Sequence, residues 1–442
     1  MHSFREIIGQ ESIKKELMRT ADVLRNTEAY TRLGAKPPFG LLLHGKPGVG
    51  KSLMATCLID ESGRRTFTCR KDRPTGEFVN AIREIFAQAK EHSPSIVFLD
   101  DLDKFANGDE RHRDAEEYIA VQSGIDDTRD YDVFVLATVD DINRLPPSLT
   151  RPGRFDRIIE VFPPQGEEAV QVVAHYLSTM PFVSGIDASR VADLMVDATC
   201  AELTSAINKA GLLAGSERAS EISMRHILLG FMEIVYRVSS DHILAGKTND
   251  DAFNRAVVHE AGHIAAAELL FPGSVTISCI FRDDDGFTRG ITSHRKFMAD
   301  FAGEMSSIVC ALAGRAFVEI TSSIPDTGAS ADIEIARSTA KLLVNKEAVF
   351  GLEFIGHMST TMSNTKRAHI EEIIDQTLDR CYTCAKHILI AHRPFVEAIS
   401  TDLAEKGLIL SDDIREIREK LYGNKVFSIP KSALELFLSI TQ

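Results

Sequence analysis

The sequence is poor in cysteine, with seven scattered among 442 residues. An odd, dispersed set does not suit the paired framework of a disulfide-stabilised secreted domain, so it indicates a reducing compartment. Cys381 and Cys384 form one C-x-x-C, but this pair stands alone within a helical pattern. We therefore favour a structural role for it over a redox or metal-binding role.

Long apolar runs and an excess of basic residues are also lacking. No apolar stretch approaches the roughly 18 residues that a membrane span requires, and the N-terminus does not resemble a signal peptide. With 50 basic and 64 acidic residues, the net charge of −14 offers no general basic surface for nucleic-acid phosphates. We therefore expect a soluble, cytoplasmic protein without a membrane anchor or a nucleic-acid partner. Its length allows two or three domains.

The segment around residues 254–264 carries the most specific chemistry. His259-Glu260-Ala261-Gly262-His263 reads H-E-x-x-H within a helical apolar pattern that ends at Pro272-Gly273. Residues four apart lie on one side of a helix, so His259 and His263 can hold a zinc ion that keeps a position open for water. Glu260 is placed to take a proton from that water. The alternative is a solvated helix that happens to carry two histidines, although Gly262 costs such a helix about 1 kcal/mol relative to alanine.

A second motif lies near the N-terminus, after a helical lead-in. The short apolar strand at 40–44 runs into Gly45-Lys46-Pro47-Gly48-Val49-Gly50-Lys51-Ser52, the P-loop pattern in its strand-loop-helix context. Backbone N–H groups of such a loop surround phosphates, its lysine reaches the β/γ oxygens and its serine binds Mg²⁺. A Gly-rich turn without this role is the alternative. The predicted ATP-binding residues are Gly45, Pro47, Gly48, Val49, Gly50, Lys51, Ser52 and Leu53.

Two further apolar segments indicate the rest of a nucleotide-binding sheet. The strand at 95–99 delivers Asp100 and Asp101 to its C-terminal end, as in a Walker B motif. We expect Asp100 to hold Mg²⁺ through water and Asp101 to activate the attacking water. A third strand is predicted at 133–138, and strand–helix alternation implies a parallel sheet with helices on both faces. The pattern from about 163 to 237 is helical and predicts a small lid.

These motifs, in this order, resemble the FtsH-type ATP-dependent zinc proteases of the AAA superfamily. Arg151-Pro-Gly-Arg154-Phe-Asp matches the paired arginine fingers of that family. The resemblance implies that Arg151 and Arg154 reach the γ-phosphate of a neighbouring subunit in a ring, most often a hexamer. It also places His175 and Ala201 where the lid closes over the adenosine. Two surface arginines flanking a turn are the alternative.

The sequence departs from the family pattern at three places. Asp101 stands where the family has glutamate, so ATP turnover is expected to be slow. The polar sensor after the third strand is not obvious, and Thr138-Val139-Asp140 stands there. The pore loop offers Pro74-Thr75-Gly76 with Phe78 nearby, so either Phe78 grips substrate in a shifted register or the pore grips weakly.

The C-terminal half supplies the remaining parts of a hydrolase. Residues 249–251 offer capping for the motif helix. A strand is predicted at 274–280, and after a turn the chain leads back through residues 287–292. In the family, an edge strand here receives the peptide by strand addition. The third zinc ligand is expected to be Asp332, with Glu334 as the fallback; the alternative for Asp332 is an acid favoured by the helix dipole. Helices are predicted over 370–388 and 394–408.

The sequence thus predicts an α/β P-loop AAA ATPase module with a helical lid, followed by a mainly α-helical zinc metalloprotease domain. The expected limits are 1–162 for the α/β part, 163–240 for the lid and 249–442 for the protease. The predicted activity is ATP-dependent unfolding, translocation and cleavage of polypeptide substrates, with ATP, Mg²⁺ and Zn²⁺ as cofactors. Two rivals stay open: a remodelling ATPase or chaperone with an inert protease half, and a zinc peptidase whose ATPase half serves only assembly.

Overall fold

The computed structural model describes residues 2–71, 75–106, 115–151, 153–180, 185–246, 250–295, 300–323, 328–345 and 364–423. The chain divides into two compact units between Val235 and Tyr236. Within the first unit, a parallel sheet precedes a group of helices, and the second unit is mainly helical. The fold class predicted from the sequence is therefore confirmed, while the three domain limits stay predictions.

The first unit is built on a five-stranded parallel sheet with strand order β2-β3-β4-β1-β5. Its strands are β1 (Gly40–His44), β2 (Arg65–Cys69), β3 (Ser95–Leu99), β4 (Val133–Val139) and β5 (Arg157–Glu160). The three inner strands are almost continuously apolar because both of their faces are covered. These inner strands were predicted from their apolar runs, and β4 extends one residue further than expected. The edge strands β2 and β5 were not predicted, since most of their residues are at least partly exposed and they lack a continuous apolar run.

Helices cover both faces of this sheet. Its covering helices are α1 (Glu11–Arg25), α2 (Thr27–Thr31), α3 (Lys51–Ser62), α4 (Thr75–Glu91) and α5 (Ala115–Asp127). Leu42 of β1 packs into a core shared with α4 and α5, whereas Leu41 and Leu43 pack into a core shared with α1 and α3. This alternation fixes the direction of β1, so that its C-terminal end delivers the P-loop to the start of α3.

The predicted helical lid follows β5. It consists of α6 (Glu167–Thr179), α7 (Ala188–Asp193), α8 (Cys200–Ser216) and α9 (Met224–Ile234). Thr199 begins α8 with a capping box, since its side chain accepts from the Glu202 backbone and Glu202 accepts from the Thr199 backbone. This cap positions the first turn of α8, which contacts the P-loop through Ala201.

Phe78 was one of two explanations offered for the pore loop, and the structure does not support it. The side chain is 1% exposed within α4, and its ring packs edge-on against Phe105 with centroids 5.2 Å apart. A buried core ring is not available to grip a substrate, so that assignment is wrong. Pro74 lies outside the described residues, as do the side chains of Thr75 and Gly76.

The second unit is built around one hydrophobic core, to which its helices contribute most of the buried side chains. Its helices are α10 (Asp251–Leu270), α11 (Phe301–Ser322), α12 (Ser330–Asn345), α13 (Asn364–Ala391), α14 (Arg393–Lys406) and α15 (Ser411–Tyr422). A three-stranded antiparallel sheet has the order β7-β6-β8, formed by β6 (Val275–Arg282), β7 (Thr288–His294) and β8 (Leu408–Leu410). Within the described part of the chain, β7 is therefore an edge strand. The predicted cap of α10 is formed by Asp250, whose side chain accepts from Ala252 and Phe253 N–H groups.

Helix α11 corrects the expectation that no stretch could span a membrane. By length and composition it is apolar enough to do so, and among the described residues it is the one such helix. However, 67% of its most apolar window is buried, and it packs against α10, α12 and α13. In this structure α11 is the central core helix of the second unit.

All seven cysteines are present as thiols. Cys381 and Cys384 lie on the buried face of α13, at 0% and 2% exposure. Burial raises the pKa of the Cys384 thiol to about 11, which disfavours the thiolate that redox chemistry or metal binding requires. The structural role favoured from the sequence suits these surroundings.

Candidate nucleotide site and metal centre

The P-loop, the N-terminal lead-in and the lid enclose a cleft of about 480 Å³ in the first unit. Eight of the predicted nucleotide-site residues line it: Pro47, Gly48, Val49, Gly50, Lys51, Ser52, Leu53 and His175. Ala201 lines it as well, and Gly45 contributes its carbonyl to Lys51. The cleft is thus assembled from the segments that the motif and the family resemblance indicated.

Close backbone approach explains one of the P-loop glycines. Gly48 has a left-handed φ of 83°, and a Cβ there would lie 2.7 Å from the Ala201 Cβ. The Ala201 N–H donates to the Gly48 carbonyl at 3.2 Å, so the lid and the loop touch at this point. A side chain at position 48 would separate them and open the cleft.

Lys51 is held firmly although it carries a charge and is only 5% exposed. Its ammonium donates to the carbonyls of Gly45 at 2.6 Å and Lys46 at 2.9 Å. The third acceptor is Asp140 Oδ1 at 2.8 Å, from the end of β4. Asp140 is the last residue of Thr138-Val139-Asp140, the segment in which the sequence leaves the sensor unassigned.

Asp100 and Ser52 meet as a magnesium site requires. The Ser52 hydroxyl donates to Asp100 Oδ1 at 3.3 Å, and the Thr138 hydroxyl donates to the same oxygen at 2.8 Å. Asp100 is 7% exposed at the C-terminal end of β3. A hydroxyl beside a carboxylate is the oxygen donor set that Mg²⁺ prefers, so these residues fit the ion. Thr138 was not predicted to orient Asp100; its place beside Asp100 follows from the β3–β4 pairing.

Asp101 is engaged by two cations of its own chain. Its carboxylate accepts from Lys104 Nζ at 2.6 Å and lies 3.6 Å from Arg70 NH2. The residue adopts a left-handed φ of 56°, and its N–H donates to the Thr138 hydroxyl at 2.9 Å. Both contacts are to Asp101 Oδ2, so the carboxylate can orient a water through Oδ1 while these partners stay in place.

The two arginines of the R-P-G-R-F-D segment have different surroundings. Arg151 is exposed. Arg154 donates from its guanidinium to both carboxylate oxygens of Asp126, at 3.2 and 2.7 Å, and its side chain is 12% exposed. The hydrogen bond from Arg154 lowers the pKa of Asp126 below its ordinary value. Arg151 therefore lies at the surface, while Arg154 is bound to Asp126 of its own chain.

In the second unit, the structure brings the three predicted metal ligands together. His259 Nε2 lies 2.9 Å from His263 Nε2 and 3.1 Å from Asp332 Oδ2, and the His263–Asp332 distance is 3.6 Å. Zinc–nitrogen bonds of about 2.0–2.1 Å place two donors of a tetrahedral site about 3.3 Å apart, so these residues fit a zinc ion. Among the described residues, this is the one group of three such side chains within ligating reach. The fallback residue, Glu334, is exposed and is not part of the group.

Neighbouring groups orient these donors. His263 donates from Nδ1 to the Cys310 carbonyl at 2.7 Å, which leaves Nε2 as the metal-facing nitrogen. Burial opposes the charged form of Asp332, but hydrogen bonds from the two imidazoles outweigh it and hold the pKa of Asp332 well below its ordinary value. The carboxylate is therefore ionised, as a metal ligand must be.

Three glycines allow the helices and the edge strand to approach the centre. A Cβ at Gly314 of α11 would lie 2.4 Å from His263 Nε2 and 2.8 Å from His259 Nε2. A Cβ at Gly262 would lie 2.6 Å from the Ala313 carbonyl, so this glycine lets α10 and α11 pack closely. A Cβ at Gly290 would lie 2.3 Å from the Glu260 carboxylate. The close packing of α10 on α11 thus explains why a glycine stands at position 262 although it costs the helix stability.

Glu260 is 5% exposed and is held beside the metal ligands by β7. Its carboxylate accepts from the Thr292 hydroxyl at 2.5 Å, and Thr292 in turn contacts the Ser278 hydroxyl at 3.0 Å. Glu260, His263 and Asp332 line one cleft of about 450 Å³ together with Gly290 and Thr292 of β7. The arrangement places a base, a metal donor set and the edge of a sheet around one space.

Sequence reasoning missed the residues that act through packing or orientation. No spacing signal marks Gly290, Gly314 or Thr292, because their partners are distant in sequence. Asp140 lies in the segment where a polar residue was expected, although the sequence does not single it out from Thr138.

The fold and the two sites define a class: an AAA-type P-loop ATPase unit and a zinc-metalloprotease-type unit in one chain. The family model described as "ATPase family associated with various cellular activities (AAA)" matches residues 41–163.

Curated relatives extend the likeness over nearly the whole chain. The chain is 28% identical over 437 residues to ATP-dependent zinc metalloprotease FtsH 2 of Thermoanaerobacter sp., covering 95% of this chain and 83% of that protein. The proteins named ATP-dependent zinc metalloprotease FtsH from Caldicellulosiruptor bescii and Thermotoga maritima are 27% and 28% identical, each covering 94% of this chain and 72% of theirs. These matches support the FtsH-type AAA zinc metalloproteases, the family that the sequence resembles. The family and the cofactors predicted from the sequence, Zn²⁺, ATP and Mg²⁺, are confirmed at this level.

Proposed function

We propose that this protein is an ATP-dependent zinc endopeptidase that unfolds polypeptides, translocates them and cleaves their peptide bonds. The observation that carries the proposal is the convergence of His259, His263 and Asp332 beside the buried carboxylate of Glu260. The P-loop cleft in the same chain supports the ATP dependence.

In the ATPase unit, each residue has a role that its contacts support. Lys51 and the P-loop backbone bind the phosphates, and Ser52 and Asp100 hold Mg²⁺. Asp101 orients the attacking water. His175 and Ala201 close the lid side of the nucleotide cleft. Arg151 of a neighbouring subunit stabilises the charge on the transferring phosphoryl group, which requires a ring, and we propose a homohexamer.

In the protease unit, Glu260 acts as the general base and then as the general acid. His259, His263 and Asp332 would hold the zinc ion, which would supply polarisation of the scissile carbonyl and a lowered pKa for a bound water. Glu260 takes the proton of that water and delivers it to the departing amine nitrogen. Thr292 fixes the rotamer of Glu260 by its hydrogen bond. The substrate pairs in an extended conformation with the edge of β7, where main-chain hydrogen bonds give affinity without strong sequence preference.

We further propose that the enzyme is soluble and acts in the cytoplasm. All seven cysteines are thiols, which suits a reducing compartment. Helix α11, although apolar, is packed within the protease unit. Fractionation of cells expressing the tagged protein tests this: recovery in the membrane pellet after carbonate washing would refute it.

The ion pairs of Asp101 favour a second reading, in which the unit hydrolyses ATP too slowly to drive unfolding. In that case the protein is a zinc peptidase whose ATPase unit serves assembly. Its mark is proteolysis of an unfolded substrate at equal rates with ATP and with a non-hydrolysable analogue.

The deciding experiment follows degradation of an unfolded model protein by wild type, Glu260→Gln and Lys51→Ala, with and without ATP. Glu334→Gln, on the exposed side of α12, is the matched control for Glu260→Gln. The proposal expects wild type and the control to degrade substrate only with ATP, and both other variants to be inactive. Wild type that hydrolyses ATP but cleaves nothing with zinc supplied would instead be a remodelling ATPase.

A further inference from the structure

The C-terminal ends of β3 and β4 bring an unusual density of carboxylates to the P-loop. Asp100 and Asp101 follow β3, and Asp140 follows β4. Asp103 is 3% exposed just behind them, where its Oδ1 accepts from the Asp140 N–H at 3.4 Å. A triphosphate entering this cleft therefore meets several fixed negative charges as well as the lysine that is meant to bind it.

Asp140 is the carboxylate that bears most directly on the nucleotide. It lines the cleft together with Lys51, Ser52 and Asp101. Its Oδ1 lies 2.8 Å from Lys51 Nζ, and the lysine's two other hydrogen bonds go to the Gly45 and Lys46 carbonyls. All three ammonium protons are thus used. Since a P-loop lysine reaches the β/γ oxygens, those oxygens compete with Asp140 for the same ammonium.

We propose that Asp140 is a specificity-determining residue of the nucleotide site. Its carboxylate competes with the terminal phosphates for Lys51, so the site binds a triphosphate well only when Mg²⁺ accompanies it. The inference rests on the nucleotide-binding part of the proposed function.

Two effects of the Asp140 charge act in the same direction. The ion pair stabilises Lys51 before nucleotide arrives, and it has to be broken or shared when phosphate binds. The carboxylate then faces the phosphate oxygens, and like charges held close together cost several kcal/mol unless a cation lies between them. A diphosphate lacks the terminal group, so it is less sensitive to both effects.

The test measures equilibrium binding of a fluorescent, non-hydrolysable ATP analogue and of fluorescent ADP, each with Mg²⁺ and with EDTA. The variant is Asp140→Asn, which keeps the shape and removes the charge. Asp141→Asn is the matched control: it changes net charge equally one residue away, but Asp141 pairs with Arg144 and does not line the cleft. Asp140→Glu restores the charge and should bind like wild type.

We expect Asp140→Asn to bind the triphosphate analogue in EDTA at least about tenfold more tightly than wild type. Binding of ADP should change by less than about threefold, and Mg²⁺ should narrow the difference between variant and wild type. Triphosphate binding by Asp140→Asn that is equal to or weaker than that of wild type would overturn the inference. An equal gain in Asp141→Asn would also overturn it, because the effect would then be one of net charge.

Two further measurements separate this inference from the proposed function. If wild type binds neither nucleotide and Lys51→Ala changes nothing, the ATPase part of the proposed function fails. If wild type binds both and Lys51→Ala loses them, that part stands and the variants of Asp140 decide. Thermal unfolding of each variant checks that it is folded, and Asp140→Ala provides a second neutral side chain with the same expected gain.

Discussion

At the scale of single residues, both sites depend on contacts that spacing in sequence does not encode. His259 and His263 were predictable because helical geometry fixes their relation. Gly314 was not, since only packing of α11 on α10 brings it against the two imidazoles. The same holds for Thr292, which reaches Glu260 from a strand 32 residues further along the chain.

Gly314→Ala should impair the metal centre more than the fold. The added methyl would lie 2.4 Å from His263 Nε2, so the imidazoles have to move from their ligating positions. We expect bound zinc, measured by elemental analysis, to fall about tenfold or more, by analogy with disrupted metal-site support. Gly215→Ala in α8 is the control, because a Cβ there meets nothing within 4 Å. Full zinc occupancy in Gly314→Ala would contradict the steric argument.

Thr292→Val should slow peptide cleavage while zinc stays bound. The substitution keeps the shape but leaves the buried Glu260 carboxylate without its hydroxyl donor. We expect kcat/KM on a fluorogenic peptide to fall about tenfold to a hundredfold, which is part of the roughly 10²–10⁴-fold that a positioned general base contributes. Thr288→Val, at the other end of β7, should retain wild-type cleavage. If both variants cleave like wild type, Thr292 has no positioning role.

At the scale of elements, burial decides which parts the sequence could predict. The strands β1, β3 and β4 were found from continuous apolar runs, which only a doubly covered strand produces. The strands β2 and β5 were not predicted because each lies at an edge, where partly exposed polar residues interrupt the apolar run. The amphipathic and apolar faces of α10, α13 and α14 were likewise sufficient to predict those helices. The sequence analysis did not predict that α11 is long and apolar enough to span a membrane, and the packing of α11 shows that it is a core helix.

Arg151 and Arg154 lie in the segment between β4 and β5, and their substitution should have different effects on stability and on ATP hydrolysis. Arg154→Ala removes the less exposed of the two guanidinium partners of Asp126 and leaves Arg129 as the other, so we expect a loss of about 1–2 kcal/mol in the free energy of unfolding. Arg151→Ala should leave the melting temperature unchanged but lower ATP hydrolysis at concentrations where rings form. Each variant is the control for the other in calorimetry and in the ATPase assay. The reverse pattern would exchange their roles.

The Asp126–Arg154 pair also predicts a pH dependence. The hydrogen bond from Arg154 lowers the pKa of Asp126 in the folded state from its ordinary 3.8. The pair therefore contributes fully to stability above that ordinary value and is lost as the pH falls through the lowered pKa. The stability difference between wild type and Arg154→Ala should be constant near neutral pH and shrink in acid. A difference that grows in acid would refute this assignment.

At the scale of the whole molecule, the two chemistries occupy separate units of one chain. Every described residue of the nucleotide cleft lies before Val235, and every described residue of the metal cleft lies after Tyr236. Removal of one cofactor should therefore leave the other unit chemically intact.

Zinc removal tests this separation. Treatment with 1,10-phenanthroline should abolish proteolysis while ATP hydrolysis in the presence of Mg²⁺ continues, because the zinc donors share no residue with the phosphate site. Re-addition of zinc should restore cleavage, and the non-chelating 1,7-isomer is the control. Proteolysis that persists after zinc has been shown to be absent would refute the metal mechanism.

The exposed border of β7 has a consequence for the substrates that the enzyme accepts. An incoming segment that pairs along seven residues is recognised by its amide protons and carbonyls rather than by its side chains. Proline lacks the amide proton, and N-methylated residues lack it too. A polypeptide with such residues at every second position along the paired stretch could not donate main-chain hydrogen bonds to β7. It should therefore resist cleavage because it lacks amide protons, whatever its amino-acid composition.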